Sequence, residues 1–166
     1  MERTELFRSD LFKKSNVGTT KQRDDALNQI LQERKNDPEG ILFSNKGCWR
    51  SMFDLDNIDW LIDEVINLCN SVSLIYSEHN SLYKEKIKNL PNMNYEYWSN
   101  VNEKYSRNSI HTHGDKWQYS AIYYLNVENT GNLLFHNPAN ILPICEPMAP
   151  FIDILYVEPK DGDLLL

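Results

Sequence analysis

The sequence predicts an α+β fold on two observations. Two segments with apolar residues at helical spacing fall in the first half, and several short aromatic or β-branched runs separated by Gly, Asn and Pro fall in the second. Helices that precede strands in this order pack on one face of a largely antiparallel sheet, and strands set off by turn signals favour a rolled sheet. No repeat, low-complexity tract or Gly/Ser linker divides the 166 residues, which read as one domain, 1–166.

The elements follow in chain order. Leu6, Phe7, Leu11 and Phe12 predict a first strand. Arg23 to Lys35 carries Leu27, Ile30 and Leu31 at helical spacing and ends at Asn36-Asp37-Pro38. From Asn57 to Tyr76, the residues Ile58, Leu61, Ile62, Val65, Leu68, Cys69, Val72 and Ile75 recur at three and four, with Asp54 and Asp56 upstream as capping candidates. After Pro91 the texture becomes that of strands: Tyr95, Tyr97, Trp98 and Val101, then Trp117 to Val127, Leu133 to Phe135 and Phe151 to Val157.

Charge and cysteine usage exclude several classes of function. With 17 Lys+Arg against 24 Asp+Glu the net charge is −7, which offers no basic field for a phosphate backbone, so no nucleic-acid partner is expected. Cys48, Cys69 and Cys145 are odd in number and form no C-x-x-C pair, against both a disulfide framework and a thiolate zinc site. The opening MERTELFRSD is charged throughout. The most apolar stretch, Ile141 to Val157, is broken by Pro143, Pro147 and Pro150 and carries Glu146 and Asp153. No membrane partner is expected, and the predicted location is cytoplasmic.

Two of the four histidines, His111 and His113, are separated by one residue and followed by Gly114 and Asp115. In a strand, residues i and i+2 share a face, which sets two imidazoles about 7 Å apart on one side. Imidazole suits Fe, Zn, Cu and Ni, and two His with a third group and open positions is the geometry of non-haem iron oxygenases. Two polar surface residues at a strand end meet the same spacing.

The surrounding sequence carries more. Trp98-Ser-Asn100, His111-Thr-His113, Ser120-Ala-Ile-Tyr-Tyr124-Leu125 and Gly131-Asn-Leu-Leu-Phe135-His-Asn-Pro138 occur in that order. Upstream lie Leu6-Phe7 and Ser44-Asn45-Lys-Gly47-Cys-Trp49-Arg-Ser51, and downstream Val157-Glu-Pro159-Lys-Asp-Gly162-Asp-Leu164-Leu. In these motifs the chain resembles the 2-oxoglutarate/Fe(II)-dependent oxygenase superfamily, in particular its small bacterial and phage branch with prolyl-hydroxylase-like members. The likeness runs in register through nearly the whole chain.

The resemblance implies a double-stranded β-helix, or jelly roll, with N-terminal helices packed on one sheet. It also implies Fe(II) as cofactor and 2-oxoglutarate as cosubstrate, the latter decarboxylated to succinate while a C–H bond of a small-molecule or peptide substrate is hydroxylated. His111 and His113 would be metal ligands. His113-Gly114-Asp115 is itself H-x-D, which makes Asp115 the substitute ligand if the pair shifts by two. Tyr124 would reach the distal carboxylate of 2-oxoglutarate, and Asn100 would line the same cavity.

Two further groups are expected by the resemblance beyond Gly162: a distal His ligand, and an Arg or Lys roughly ten residues later that pairs with the 2-oxoglutarate carboxylate. After His113 the sequence holds only His136, and no arginine follows Arg107. The catalytic set is therefore expected to be incomplete in this chain, as in a jelly roll lacking its last strand or strands. His136 is not expected at the metal, because alternation turns it outward if Phe135 faces the core. Two other functions share the fold: a non-catalytic jelly-roll binding or structural protein of phage or host, and a cupin-like metal protein that does not use 2-oxoglutarate.

Overall fold

The computed structural model of the protein describes residues 10–51, 55–79, 94–113, 119–128, 130–136 and 154–166. Helix α1 spans Thr20–Asn36. It starts three residues before the predicted Arg23 because Thr19 and Gln22 form a capping box: Thr19 Oγ1 accepts from the Gln22 N–H at 3.3 Å, and Gln22 Oε1 accepts from the Thr19 N–H at 2.8 Å. Arg34 and Lys35 sit in the last turn, where cations oppose the helix dipole, and the helix stops ahead of Pro38.

Helix α2 spans Asp59–His79. The carbonyl of Ile58 accepts its first bonds, from the N–H groups of Leu61 and Ile62. Asp56 therefore lies two residues ahead of the cap rather than on it. Its backbone is instead held from both sides by the Gln29 side chain, which ties the entry loop to α1. Asp54 lies outside the described residues. The apolar stripe holds through Cys69 and Val72 and then departs from the prediction. Ser73 and Ser77 are buried while Leu74 and Ile75 are exposed. The buried hydroxyls are bonded, Ser73 to the Tyr119 hydroxyl at 2.6 Å and Ser77 to the Leu74 carbonyl at 2.8 Å, so their burial leaves no orphaned polar atom. No helix among the described residues is long and apolar enough to cross a membrane.

Every strand pairing is antiparallel. Strands β1 (Lys13–Lys14), β4 (Ile122–Tyr123) and β7 (Leu164–Leu165) form one sheet in the order β1-β7-β4. Strands β2 (Asn45–Arg50) and β3 (Asn100–Asn108) form a second, and β5 (Leu133–His136) and β6 (Ile154–Val157) a third. The fold is thus mixed α/β with antiparallel sheets, and among the described residues the three sheets stay separate and no barrel closes. Phe12 exchanges two backbone bonds of 2.9 Å with Leu166, which extends the first strand back into its predicted range; Leu6 and Phe7 lie outside the described residues.

The core sits between α1, the β2–β3 sheet and the start of α2. Ala26, Ile30, Trp49, Leu55 and Ile58 are buried there, flanked by Ile62, Tyr97, Val101 and Leu125. The polar atoms of its aromatic residues are satisfied: the Trp49 indole donates to the Asp37 carbonyl at 2.7 Å and the Tyr97 hydroxyl to the Leu55 carbonyl at 3.0 Å.

Asp163, Leu164 and Leu165 are the most deeply buried side chains of β7 and its approach. The carboxylate of Asp163 accepts from Lys13 Nζ at 2.5 Å, from Ser15 Oγ at 2.7 Å and from the Lys160 N–H at 2.9 Å. Burial alone would push this carboxyl up, but those donors and the charge of Lys13 together hold it below its ordinary value. At Gly18 the backbone has φ +75°, and a Cβ there would lie 2.4 Å from Cζ3 of Trp60. The Trp60 ring is fixed in turn by an edge-on contact with Tyr123, whose hydroxyl donates to the Val17 carbonyl at 2.6 Å.

Two outcomes are expected. Gly18→Ala adds both a left-handed backbone penalty and a clash with Trp60, and should cost about 1–3 kcal/mol, seen as a thermal midpoint several degrees lower. A midpoint within a degree of wild type would contradict this packing. A carboxyl depressed in the folded state contributes stability that is present above its unfolded value near 3.9 and is lost as pH falls through the folded value. Denaturant titrations should therefore show stability dropping below about pH 4, and Asp163→Asn should flatten that drop.

Candidate metal centre

The β2–β3 ladder delivers the histidines. Its register runs Asn45↔Asn108 and Lys46↔Arg107, then jumps to Cys48↔Asn102, Trp49↔Val101 and Arg50↔Asn100. Gly47 on β2 thus faces an excursion of residues 103–106 on β3, where Gly47 (φ 71°) and Tyr105 (φ 69°) both take left-handed backbone. Past Asn108 the pairing continues for one more bond, from the Ser109 N–H to the Ser44 carbonyl at 2.7 Å. The segment Ser44 to Ser51, which enters the sequence analysis only as a motif, contains this strand.

His111 and His113 follow the end of β3 rather than lying within a strand. Their rings stack with centroids 5.2 Å apart and planes 17° from parallel, closer than the separation of i and i+2 side chains on a strand. His111 Nδ1 lies 2.7 Å from the Ser109 carbonyl oxygen. A carbonyl only accepts, so Nδ1 carries the proton and, in the neutral ring, Nε2 of His111 presents its lone pair. His113 Nδ1 lies 2.9 Å from Ser120 Oγ, and the two Nε2 atoms face each other at 3.3 Å.

Two proton arrangements satisfy this geometry. Either the Ser120 hydroxyl donates to His113 and His113 Nε2–H donates to His111, or Ser120 accepts and both Nε2 lone pairs converge on a shared cation. The 3.3 Å separation is within the span of two metal–nitrogen bonds of about 2.0–2.1 Å to one ion. The outer hydrogen bonds at both Nδ1 atoms are of the kind that fix a ligating imidazole's tautomer. The donor set therefore fits two positions of a metal ion. Among the described residues, no group of three His, Cys, Asp or Glu side chains is poised to hold one, and Asp115 lies outside them.

The imidazoles adjoin an aromatic and cationic stack. The Trp98 ring lies 6.1 Å from the His113 ring, centroid to centroid, and the Arg50 guanidinium lies 4.3 Å from the Trp98 centroid and 4.4 Å from that of Phe43. Asn100 faces Arg50 across the ladder, so the two share a sheet face. Tyr124 directly follows β4 of the β1-β7-β4 sheet, where its N–H donates to the Asp163 carbonyl at 3.0 Å and its carbonyl accepts from the Gly162 N–H at 2.8 Å. Burial, and then the charge of Asp163, push its phenol up. No hydrogen bond or ring contact among the described residues joins Tyr124 to the histidines. His136 is exposed on β5, and Phe135 beside it is itself 37% exposed rather than a core residue. Cys48 and Cys69 are buried and burial pushes both thiols up, away from thiolate chemistry.

Sequence reasoning assigned no role to Ser109, Ser120 or Arg50. Ser120 and Arg50 stood inside the quoted motifs, but nothing in their spacing shows that one orients an imidazole and the other stacks beside it. No family model, curated protein or solved structure matches the chain.

If Ser120 orients the second ligand, Ser120→Ala should weaken uptake of Zn(II) or Fe(II) by about 10-fold, and His111→Ala should weaken it more, both in folded protein. Calorimetric titration giving Ser120→Ala the affinity of wild type would contradict the role assigned to that hydroxyl.

Proposed function

We propose that the protein is a 2-oxoglutarate- and Fe(II)-dependent dioxygenase of the jelly-roll class that hydroxylates a small-molecule or peptide substrate. The observation that carries this reading is the pair of Nε2 atoms 3.3 Å apart, each on a ring whose Nδ1 is already engaged. The motif resemblance supplies the choice of iron and 2-oxoglutarate and the jelly-roll class, and the antiparallel pairing of the described strands is in keeping with it.

In this reading His111 and His113 hold two ligand positions, with Asp115 as the substitute carboxylate. Bound iron would supply oxidative decarboxylation of the keto acid coupled to hydroxylation of a C–H bond. The Ser109 carbonyl keeps His111 in the Nδ1-protonated tautomer, and the Ser120 hydroxyl, which can accept as well as donate, holds the orientation of His113. Asn100 lies on the face that carries the stack beside His113, where its amide is available to a bound acid. Tyr124 would be the contact for the distal carboxylate of 2-oxoglutarate that the motif resemblance implies.

The test is oxygen-dependent release of succinate from 2-oxoglutarate by Fe(II)-loaded protein, together with a weak visible charge-transfer band when the keto acid is added without oxygen. Wild type should give both, and His111→Ala and His113→Ala should lose at least 100-fold in succinate formation. Protein that retains Fe(II) yet gives neither band nor succinate would overturn the proposal. The same pair of Nε2 atoms serves one other reading, a cupin-like metal protein that does not use 2-oxoglutarate; it predicts metal uptake with no optical change on adding the keto acid.

A further inference from the structure

Three arginines among the described residues are half-buried: Arg23, Arg34 and Arg50. Arg23 donates to the carbonyls of Val17 and Gly18, at 3.3 and 2.7 Å, and Arg34 pairs with Glu103 at 2.6 Å. Arg50 differs. Its guanidinium lies between the rings of Phe43 and Trp98, and its Nε is the one buried side-chain nitrogen or oxygen among the described residues that has no hydrogen-bond partner. No carboxylate among them pairs with it, in a chain that carries seven more acidic than basic residues.

A guanidinium stays charged at any pH a protein survives, so desolvating it without an acceptor is a standing cost. Burial acts on Arg50 in the corresponding sense, disfavouring its charged form. The Phe43 and Trp98 rings both pack against the guanidinium. With Nε enclosed, the two Nη groups are the donors left to meet a ligand. A planar acceptor at that edge, able to take two parallel N–H bonds, is a carboxylate. Asn100 shares the sheet face, and one indole ring separates the guanidinium from His113.

We infer that Arg50, clamped between Phe43 and Trp98, anchors the carboxylate of a small carboxylic acid whose remainder lies along Trp98 towards His113. The inference rests on the proposed metal centre only for where the far end of that acid goes; the anchor itself needs no metal. Arg50 precedes the histidines on β2, so it is a different group from the downstream Arg or Lys that the motif resemblance implies.

The test uses metal-free, chelator-treated protein and succinate, which lacks the keto group. Calorimetry should show saturable binding that falls at least 10-fold in Arg50→Gln, is partly retained in Arg50→Lys and is unchanged in His111→Ala. Arg50→Gln should still take up Zn(II) within two-fold of wild type. Absence of succinate binding to wild type, unaltered binding to Arg50→Gln, or equal binding of inorganic phosphate would overturn the carboxylate anchor. Loss of metal uptake from wild type with succinate binding intact would sink the metal centre and leave the anchor standing. If Arg50→Gln fails to fold, the wild-type resonances of Arg50 Nε–H and Trp98 Nε1–H decide: they shift with succinate if the anchor is right and stay fixed if it is wrong.

Discussion

The register of the β2–β3 ladder is the constraint on which the rest depends. At one end the Ser51 N–H donates to the Ser99 carbonyl and the Ser99 N–H to the Ser51 hydroxyl, both at 2.9 Å in buried surroundings. At the other, Ser109 bonds Ser44, and the buried Asn45 side chain bridges Phe43, Ile41 and Cys48 across the bend that precedes the strand. Alternation then divides the sheet. Trp49 and Val101 enter the core with Tyr97, while Arg50 and Asn100 share the opposite face with Trp98. A slip of one residue would expose the core residues and bury the guanidinium, so the same hydrogen bonds fix both packing and site.

The second anchoring point is the carboxylate of Asp163. A charge this deeply enclosed is costly unless it is paired and hydrogen-bonded, and here Lys13, Ser15 and the Lys160 N–H supply three donors to it. Those three donors come from β1, the segment after it and the turn before β7. The network therefore matches the ends of the described chain to each other and places Leu164 and Leu165 between β1 and β4. The two anchors leave the histidines in a different setting: exposed, outside any strand, and positioned by Ser109 and Ser120 rather than by packing. That exposure leaves both rings open to an incoming ion.

Much of the architecture was legible because it is written in apolar periodicity. Helix α2 is apolar at three- and four-residue spacing and forms where expected, and its departure at Ser73 and Ser77 reflects hydroxyls that find partners inside, which hydropathy does not record. Helix α1 begins early because its first turn is set by the polar capping pair Thr19 and Gln22. Strand β2 escaped notice because Asn45–Arg50, NKGCWR, has a glycine and no β-branched residue; pairing with β3 imposes its conformation. At the site, the His-x-His spacing was visible in the sequence. The convergence of the two Nε2 atoms was not, because it arises from a carbonyl two residues upstream and a hydroxyl seven residues downstream.

The central claim is that His111 and His113 offer two lone pairs to one ion, and imidazole nitrogen NMR tests it most directly. Long-range proton–nitrogen spectra of the native protein, recorded before and after one equivalent of diamagnetic Zn(II), separate Nδ1 from Nε2 on each ring. Both Nε2 resonances should move to metal-bound positions together, with a proton on each Nδ1 in the Zn(II) form. Spectra that stay unchanged, with a proton held on His113 Nε2 and shared with His111, would mean that the pair is a simple hydrogen bond and would contradict the account.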